Sequence, residues 1–208
     1  MMRGCSSPKA LMKASLLAVV LGATALTGCS TQVERIATDE VRDLSGAWND
    51  TDSRLVSEEM VADVMARPWI DNHNRSSKKP PVVIVGEVRN LSHEHINVNT
   101  FVADLERSFI NSGRVDVVAS KTERSEIRDE RRDQDLNARD ETRKAMGQET
   151  GADFMLKGTI NTIIDAAGSD QIRFYQVDLN LISLADNRKV WQGQKKIKKD
   201  VKRAKLRY

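Results

Sequence analysis

Few residues in this 208-residue chain are equipped for chemistry, and their spacing narrows what that chemistry is. The two cysteines are Cys5 and Cys29. Cys29 ends Leu26-Thr27-Gly28-Cys29, which sits where a secretory signal is cut and closes on a thiol that a lipid can occupy. His93-Glu94-His95 holds the other metal-ligand types, but alternate histidines reach one zinc ion only with a third or fourth ligand from elsewhere. His73 is the sole remaining histidine, and a solvated loop is the plainer reading of the triplet. There is no Ser-His-Asp arrangement in a recognisable context, no glycine-rich phosphate loop and no spare thiol. The expectation is a non-enzyme without cofactor or metal.

Residues 1–28 read as an export signal. Arg3, Lys9 and Lys13 make a positive start, and Ala14 to Ala25 make a 12-residue apolar stretch, too short to span a bilayer. Leu-Thr-Gly-Cys resembles the lipobox of bacterial lipoproteins, in which the thiol takes a diacylglycerol, cleavage falls between Gly28 and Cys29, and the new amine is acylated. Several acyl chains give durable anchoring where one gives marginal binding. Ser30, a residue other than Asp after the cysteine, points to the outer membrane by the sorting pattern of such lipoproteins. With Cys5 discarded and Cys29 lipidated, no disulfide remains available. About 180 mature residues suffice for one domain burying roughly 70% of its unfolded surface.

The formal net charge of +3 comes from Arg3, Lys9 and Lys13, leaving the mature chain balanced. The balance is uneven along its length. Lys195 to Tyr208 has eight basic residues and one acid, so the body before it is acidic. Ser30 to Ser45 is polar without periodicity and reads as a tether, reaching at most about 55 Å stretched and roughly 25 Å as a coil.

The elements follow from periodicity. Asp50-Thr51-Asp52 supplies capping side chains for a helix to about Ala66 whose apolar face includes Leu55, Val56, Met60, Val61, Val64 and Met65. Trp69 to Pro81 reads as a polar connection. Val82 to Gly86 is a continuous apolar run, the pattern of a central strand covered on both faces. Asn97 to Asn111 puts Val98, Phe101, Val102, Leu105, Phe109 and Ile110 on one stripe, capped by Asn97 or Asn99 and stopped by Ser112-Gly113. A short strand, Arg114 to Val118, follows. Glu123 to Lys144 reads as one or two exposed helices broken near Leu136-Asn137, a solvated face rather than a nucleic-acid site, because its acids nearly match its arginines. Phe154 to Ile160, Ile172 to Leu184 and Lys189 to Gly193 read as three strands joined by turns at Ala167–Asp170 and Asp186-Asn187. The fold class is α/β (α+β), one domain with a mixed sheet of four or five strands flanked by helices in the order α-β-α-β-α(α)-β-β-β. The divisions are 1–28 signal, 29–45 tether, 46–194 domain and 195–208 basic tail.

Two aromatics, Tyr175 and Trp191, are candidate anchors for a partner protein, since aromatics dominate hot spots; packing of Trp191 under the hairpin is the other reading. The basic tail, Lys195 to Arg207, is either a solubilising tail or a contact for anionic lipid, lipopolysaccharide or cell wall.

Several stretches resemble a known family: Val85-Gly86-Glu87-Val88-Arg89-Asn90, His95-Ile96-Asn97, Asn111-Ser112-Gly113-Arg114-Val115, the run Thr150 to Ile160, and Tyr175 to Ile182 together with Val190-Trp191-Gln192-Gly193. They are similar, in register over about Pro81 to Lys196, to the LpoB family of outer-membrane lipoproteins that activate class A penicillin-binding proteins. The resemblance implies a domain similar to the N-terminal domain of TolB, docking on the small accessory domain of a bifunctional peptidoglycan synthase and performing no chemistry itself. The acidic body then implies a basic docking surface on the synthase. Ser-Gly before a strand and the Gly-Ala-Asp strand opening are shared more loosely with curli-secretion channel lipoproteins of the CsgG type. The alternative is therefore a component of an outer-membrane secretion channel, which needs long amphipathic hairpins.

The anchoring expectation is tested at the cysteine. Cys29→Ser should leave a slower-migrating uncleaved precursor and abolish labelling by radioactive palmitate; continued labelling would reject the lipoprotein reading.

Overall fold

Pro80-Pro81 withholds two backbone donors and keeps the chain extended, and the β-branched run after it becomes the first strand, β1 (Val82–Asn90). In the computed structural model, which describes residues 33–202, β1 pairs in parallel with β2 (Asp116–Val118) on one side and β3 (Phe154–Ala167) on the other. β4 (Asp170–Ser183) and β5 (Lys189–Lys202) continue from β3 as an antiparallel meander, giving the order β2-β1-β3-β4-β5. Val83, Ile84 and Val85 are all buried, as a doubly covered run requires, but β3 and not β1 is central. The register shifts between Val85 and Val88. That extra residue returns Val88 to the core face already lined by Val83 and Val85, which strict alternation would forbid.

Four helices accompany the sheet: α1 (Asp50–Met65), α2 (Trp69–Ser77), α3 (Val98–Ser112) and α4 (Lys121–Asn137). Both α1 and α3 pack on the same sheet face and on each other, closing a core of Val56, Met60 and Val64 from α1, Phe101, Leu105 and Phe109 from α3, and Leu156, Ile160, Val177, Leu179 and Leu181 from the strands. The α3 boundaries match the stripe read from sequence, with Asn97 accepting from the Asn99 N–H and Gly113 at φ 62° ending the helix. Ile110, expected on that stripe, lies at its margin and is 57% exposed. α4 has no buried residue, ends at Asn137, and is fastened by Arg128 and Arg131 to Glu149. Along the exposed helix Arg132 pairs with Asp129, and beyond it Arg143 pairs with Asp140.

Four expectations are corrected. Asn49, not the aspartates after it, is the α1 cap, in a box with Asp52. Trp69 to Ser77 is a helix rather than a connection, because Trp69 and Ile70 are buried and draw the segment onto the body. β3 runs on from Ile160 to Ala167 because its ladder with β4 is unbroken from Phe154↔Ser183 to Ala167↔Asp170; cross-strand pairing there outweighs weak propensity. Lys195 to Lys202, read as the start of a basic tail, is the second half of β5, paired with β4 as far as Asp170↔Lys202.

Residues 33–40 belong to a separate unit and hold a turn closed by the Glu40 N–H on the Ala37 carbonyl at 3.2 Å. Gly28 and Cys29, the signal segment and residues 203–208 lie outside the described residues. Among the described residues no helix is long and apolar enough to cross a membrane.

Burial separates two chemically similar truncations on α3. Leu105→Ala, at a fully buried site, should cost about 2–5 kcal/mol, and Ile110→Ala no more than about 0.5 kcal/mol. Urea denaturation of both variants checks this, and equal losses would overturn the assignment of faces.

Candidate functional site

The polar groups of the domain converge at one end of the long strands. β5 alternates strictly there: Trp191, Gly193, Lys195, Ile197, Lys199 and Val201 take the face toward α1, and Gln192, Gln194, Lys196, Lys198, Asp200 and Lys202 the opposite face. Each Lys-Lys pair is thereby split between the faces. The inward set meets the acidic side of α1, which runs antiparallel to β5. Trp191 Nε1 donates to Asp63 Oδ2 at 2.7 Å, Lys195 pairs with Glu59, and Lys199 Nζ donates to Asp52 Oδ2 at 2.7 Å. Between these contacts a Cβ on Gly193 would lie 2.1 Å from the Trp191 ring and 3.1 Å from Met60. Only glycine leaves room for the Trp191 ring to lie over the strand here. The Trp191 hydrogen bond, chiefly, and Arg67 hold the Asp63 carboxyl below its usual value against partial burial.

Lys199 is the most enclosed cation of the ladder, its side chain 11% exposed, and Asp52 beside it is 8% exposed. An ammonium has three protons, and here each has an acceptor: Asp52 Oδ2 at 2.7 Å, Asp43 Oδ1 at 2.8 Å and the Ala47 carbonyl at 3.2 Å. Burial lowers the Lys199 pKa, but its hydrogen bonds with Asp43 and Asp52 outweigh burial and raise it above the ordinary lysine value. The Lys199 hydrogen bond likewise holds Asp43 below the usual carboxylate value. Lys199 thus clasps the segment entering α1 to the end of β5.

Glu94 closes the same end from the β1–α3 loop. Its carboxylate accepts from Arg173 Nη1 at 2.8 Å, lies 2.8 and 2.9 Å from Tyr175 Oη, and takes the Trp48 backbone N–H at 3.2 Å. Trp48 packs edge-on against Phe101 and Tyr175, with its Nε1 donating to Ser53 Oγ at 2.8 Å. Burial, then the Glu94 hydrogen bond, pushes the Tyr175 phenol up to about 12. The phenol stays neutral and serves as a donor.

These placements correct the candidate anchors. Tyr175 is 0% exposed and Trp191 6%, so neither ring offers a face to a partner; both are core aromatics whose polar atoms are engaged within the fold. His93 and His95 are exposed, and the working residue of the triplet is the glutamate between them. Among the described residues no three His, Cys, Asp or Glu side chains are grouped to hold a metal. Sequence reasoning passed over Trp48, read Glu94 only as part of the His93-Glu94-His95 triplet and Lys199 only as part of a basic tail. The signal available was a Tyr on the apolar face of a strand, which needs a buried acceptor.

A cleft of about 600 Å³ lies between α2 and the β4–β5 turn, floored by Trp69 and Phe154 and rimmed by His73, Asp186 and Arg188. His73 Nε2 stands 3.6 Å from Asp153 Oδ2, and its ring meets Phe154 edge-on. The serines around it are engaged elsewhere: Ser76 and Ser77 bond backbone carbonyls, and Ser183 bonds Asp186, lowering that carboxyl's pKa. No hydroxyl is held by the imidazole, so the pieces of an acyl-transfer triad are present without its geometry.

The clasp has a pH signature. Asp43, its pKa depressed, contributes stability that is present above the unfolded carboxylate value of about 3.9 and lost as pH falls through the lower folded value. Lys199, raised, contributes stability lost only as pH climbs through its folded value. Lys199→Met should cost on the order of 3 kcal/mol at pH 7, because it leaves the Asp52 carboxylate buried without a counter-charge. Urea denaturation at pH 7 and pH 3 checks this: the gap to wild type should narrow in acid, and an unchanged gap would refute the clasp.

The family model described as peptidoglycan-synthase activator LpoB matches residues 52–197. Among solved structures, the chain is similar to the LpoB C-terminal domain from Escherichia coli, at 13% identity over 70% of this chain and 98% of that one, with a TM-score of 0.44. It is similar too to lipoprotein GNA1162 from Neisseria meningitidis (16% identity, 61% and 88% covered, TM-score 0.37) and to the PelC dodecamer from Paraburkholderia phytofirmans (15%, 59% and 74%, 0.34). No curated protein sequence matches it significantly. The family match runs from the first turn of α1 to Ile197 in β5 and so takes in the rest of the helices, β1 to β4 and the first part of β5: the chain belongs to the LpoB family of peptidoglycan-synthase activators.

Proposed function

We propose that this protein is a non-enzymatic lipoprotein, held to the outer membrane through Cys29 and facing the periplasm, that binds a class A penicillin-binding protein and raises its output of peptidoglycan. The observation that carries the reading is the family match over residues 52–197. The fold is consistent with it in one physical respect: Asp43, Asp52, Asp63, Glu94, Arg173 and Lys199 are spent on holding elements together. An activator of this kind works by differential binding. It must bind the active conformation of the synthase more tightly than the resting one, and a coupling of about 1–3 kcal/mol shifts the population ratio by about 5- to 150-fold.

Two structural facts shape the proposal. The clasp ties Asp43 to the domain, so the stretch between Cys29 and Asp43 spans at most about 50 Å, and the synthase must project toward the outer membrane to be reached. For the secretion-channel alternative, Lys196, Lys198, Asp200 and Lys202 occupy the alternate β5 positions where a lipid-facing strand needs apolar residues.

The test uses the full-length mature lipoprotein in detergent with its own organism's class A synthase and labelled lipid precursor. Glycan polymerisation should rise with added protein, fall back as salt screens surface charge over about 8–10 Å, and no peptidoglycan should be hydrolysed. Unchanged polymerisation with no binding to the synthase would reject the reading. The chain must not be cut at Gln194, since that removes the half of β5 that carries Lys199.

A further inference from the structure

The arginines of α4 are balanced by acids in number but not by face. Arg124, Arg128 and Arg131 stand at i, i+4 and i+7 and share one stripe with Ile127, while Glu126, Asp129, Glu130 and Asp133 fall on the rest of the helix. The chain after α4 folds back along it. The Lys144 N–H donates to Gln134 Oε1 at 3.1 Å, and Glu149 comes to rest against the stripe. Arg128 takes that carboxylate with both arms of its fork, Nε to Oε1 at 2.9 Å and Nη2 to Oε2 at 2.8 Å, and Arg131 Nη1 adds a third bond at 3.2 Å. The Arg128 hydrogen bond, chiefly, and the charges of all three arginines hold the Glu149 carboxyl below its usual value against desolvation.

Beside this pair lies a pocket of about 230 Å³, between the stripe, the end of β2 at Val118 and Ala119, and the segment Gln148 to Thr150. Arg124 and Arg131 line it, and Arg124 is the arginine in excess. It forms no ion pair with a described residue, and its Nε is buried without a hydrogen-bond partner. A buried charged donor left unmatched carries a desolvation cost that nothing in the unliganded protein offsets. Three guanidinium groups thus face the single carboxylate of Glu149. The other acids of the region are placed differently: Glu123 accepts from the Ser120 N–H and faces Glu106 of α3, Glu130 takes the Gln134 amide, and Asp135 sits a turn beyond Arg131, outside the lining.

Glu149 shows what the cluster grips, a carboxylate held by planar forks. The walls beside Arg124 are small and aliphatic, and the volume is below the roughly 300–1,000 Å³ of pockets that enclose a whole drug-sized ligand. It suits an end group. We infer that this pocket is a carboxylate site that takes the C-terminal end of a short aliphatic peptide, its carboxylate on Arg124 and Arg131 and its side chain against Val118, Ala119 and Ile127. The inference is independent of the activator reading. A bound end would tie the β2 terminus and Gln148 to Thr150 to α4, a helix with no buried residue of its own.

The experiment titrates N-acetyl-alanyl-alanine into the full-length mature lipoprotein in detergent by calorimetry and follows hydrogen exchange across α4 in the same samples. The C-terminal amide of that dipeptide and inorganic phosphate are the comparison probes. The free acid should bind saturably and slow exchange in α4, the amide should not bind, and phosphate should bind more weakly than the acid. Arg124→Gln should weaken the acid about tenfold or more, the loss of a charge-assisted hydrogen bond. Ile127→Glu sets a carboxylate within reach of Arg124 and Arg131 without removing an arginine, and should abolish binding. Arg132→Gln, whose arginine is paired with Asp129 away from the pocket, should leave it unchanged. Exchange of α4 as in unliganded wild type certifies each variant as folded, and if Arg124→Gln loosens the helix, Ile127→Glu decides. No saturable binding of the acid, equal binding of acid and amide, or full binding by Ile127→Glu would overturn the site. Phosphate binding as tightly as the acid would make it a general anion site and overturn the peptide assignment.

Discussion

Strand length is the constraint from which the rest of this structure follows. Fourteen residues of antiparallel strand extend about 46 Å, whereas the 16 residues of α1 and the 15 of α3 extend only about 24 and 22 Å. Two helices of that length cannot cover three strands of that length. Where they do cover them, the interior is apolar and filled by Val, Leu, Ile and Phe. Past the ends of the helices the sheet must be finished by something else. On the helix side that is the segment Asp43 to Trp48, laid across the strands and fastened by Glu94 and Lys199. On the other side nothing described finishes it, and Ile163 stays in solvent.

The finish is polar because the segment itself is polar, and satisfied polar contacts hold register better than apolar ones. Slipping β5 by one residue would send Lys196 and Lys198 toward α1, turn Trp191 outward and break every contact of the ladder at once. Lys199 contributes most to that specificity. Its three protons find three acceptors from two parts of the chain, so the desolvation of the ammonium is offset only when the entering segment, α1 and β5 are all in place. Asp52 takes part twice, in the α1 capping box and in the clasp, which couples the start of the helix to the end of the sheet.

The parts legible in the sequence were those whose period is set by one buried face. The α3 stripe of Phe101, Leu105 and Phe109 was of this kind, as were β1, the body of β4 and the helical start of the charged stretch. The misreadings share a cause. Lys195 to Lys202 alternates as a strand does, but with lysine at positions where alternation is scored on apolar residues, so composition hid periodicity. Trp69 to Ser77 has two apolar residues in nine, too few to mark a helix until Phe154 is seen beneath Trp69. The polar hub was unreadable for a deeper reason: Glu94, Tyr175 and Trp48 are 46 or more residues apart in sequence for every bond they share, and a single chain carries no trace of such pairings. What was readable was the demand for them, since a tyrosine on the apolar face of β4 must find an acceptor.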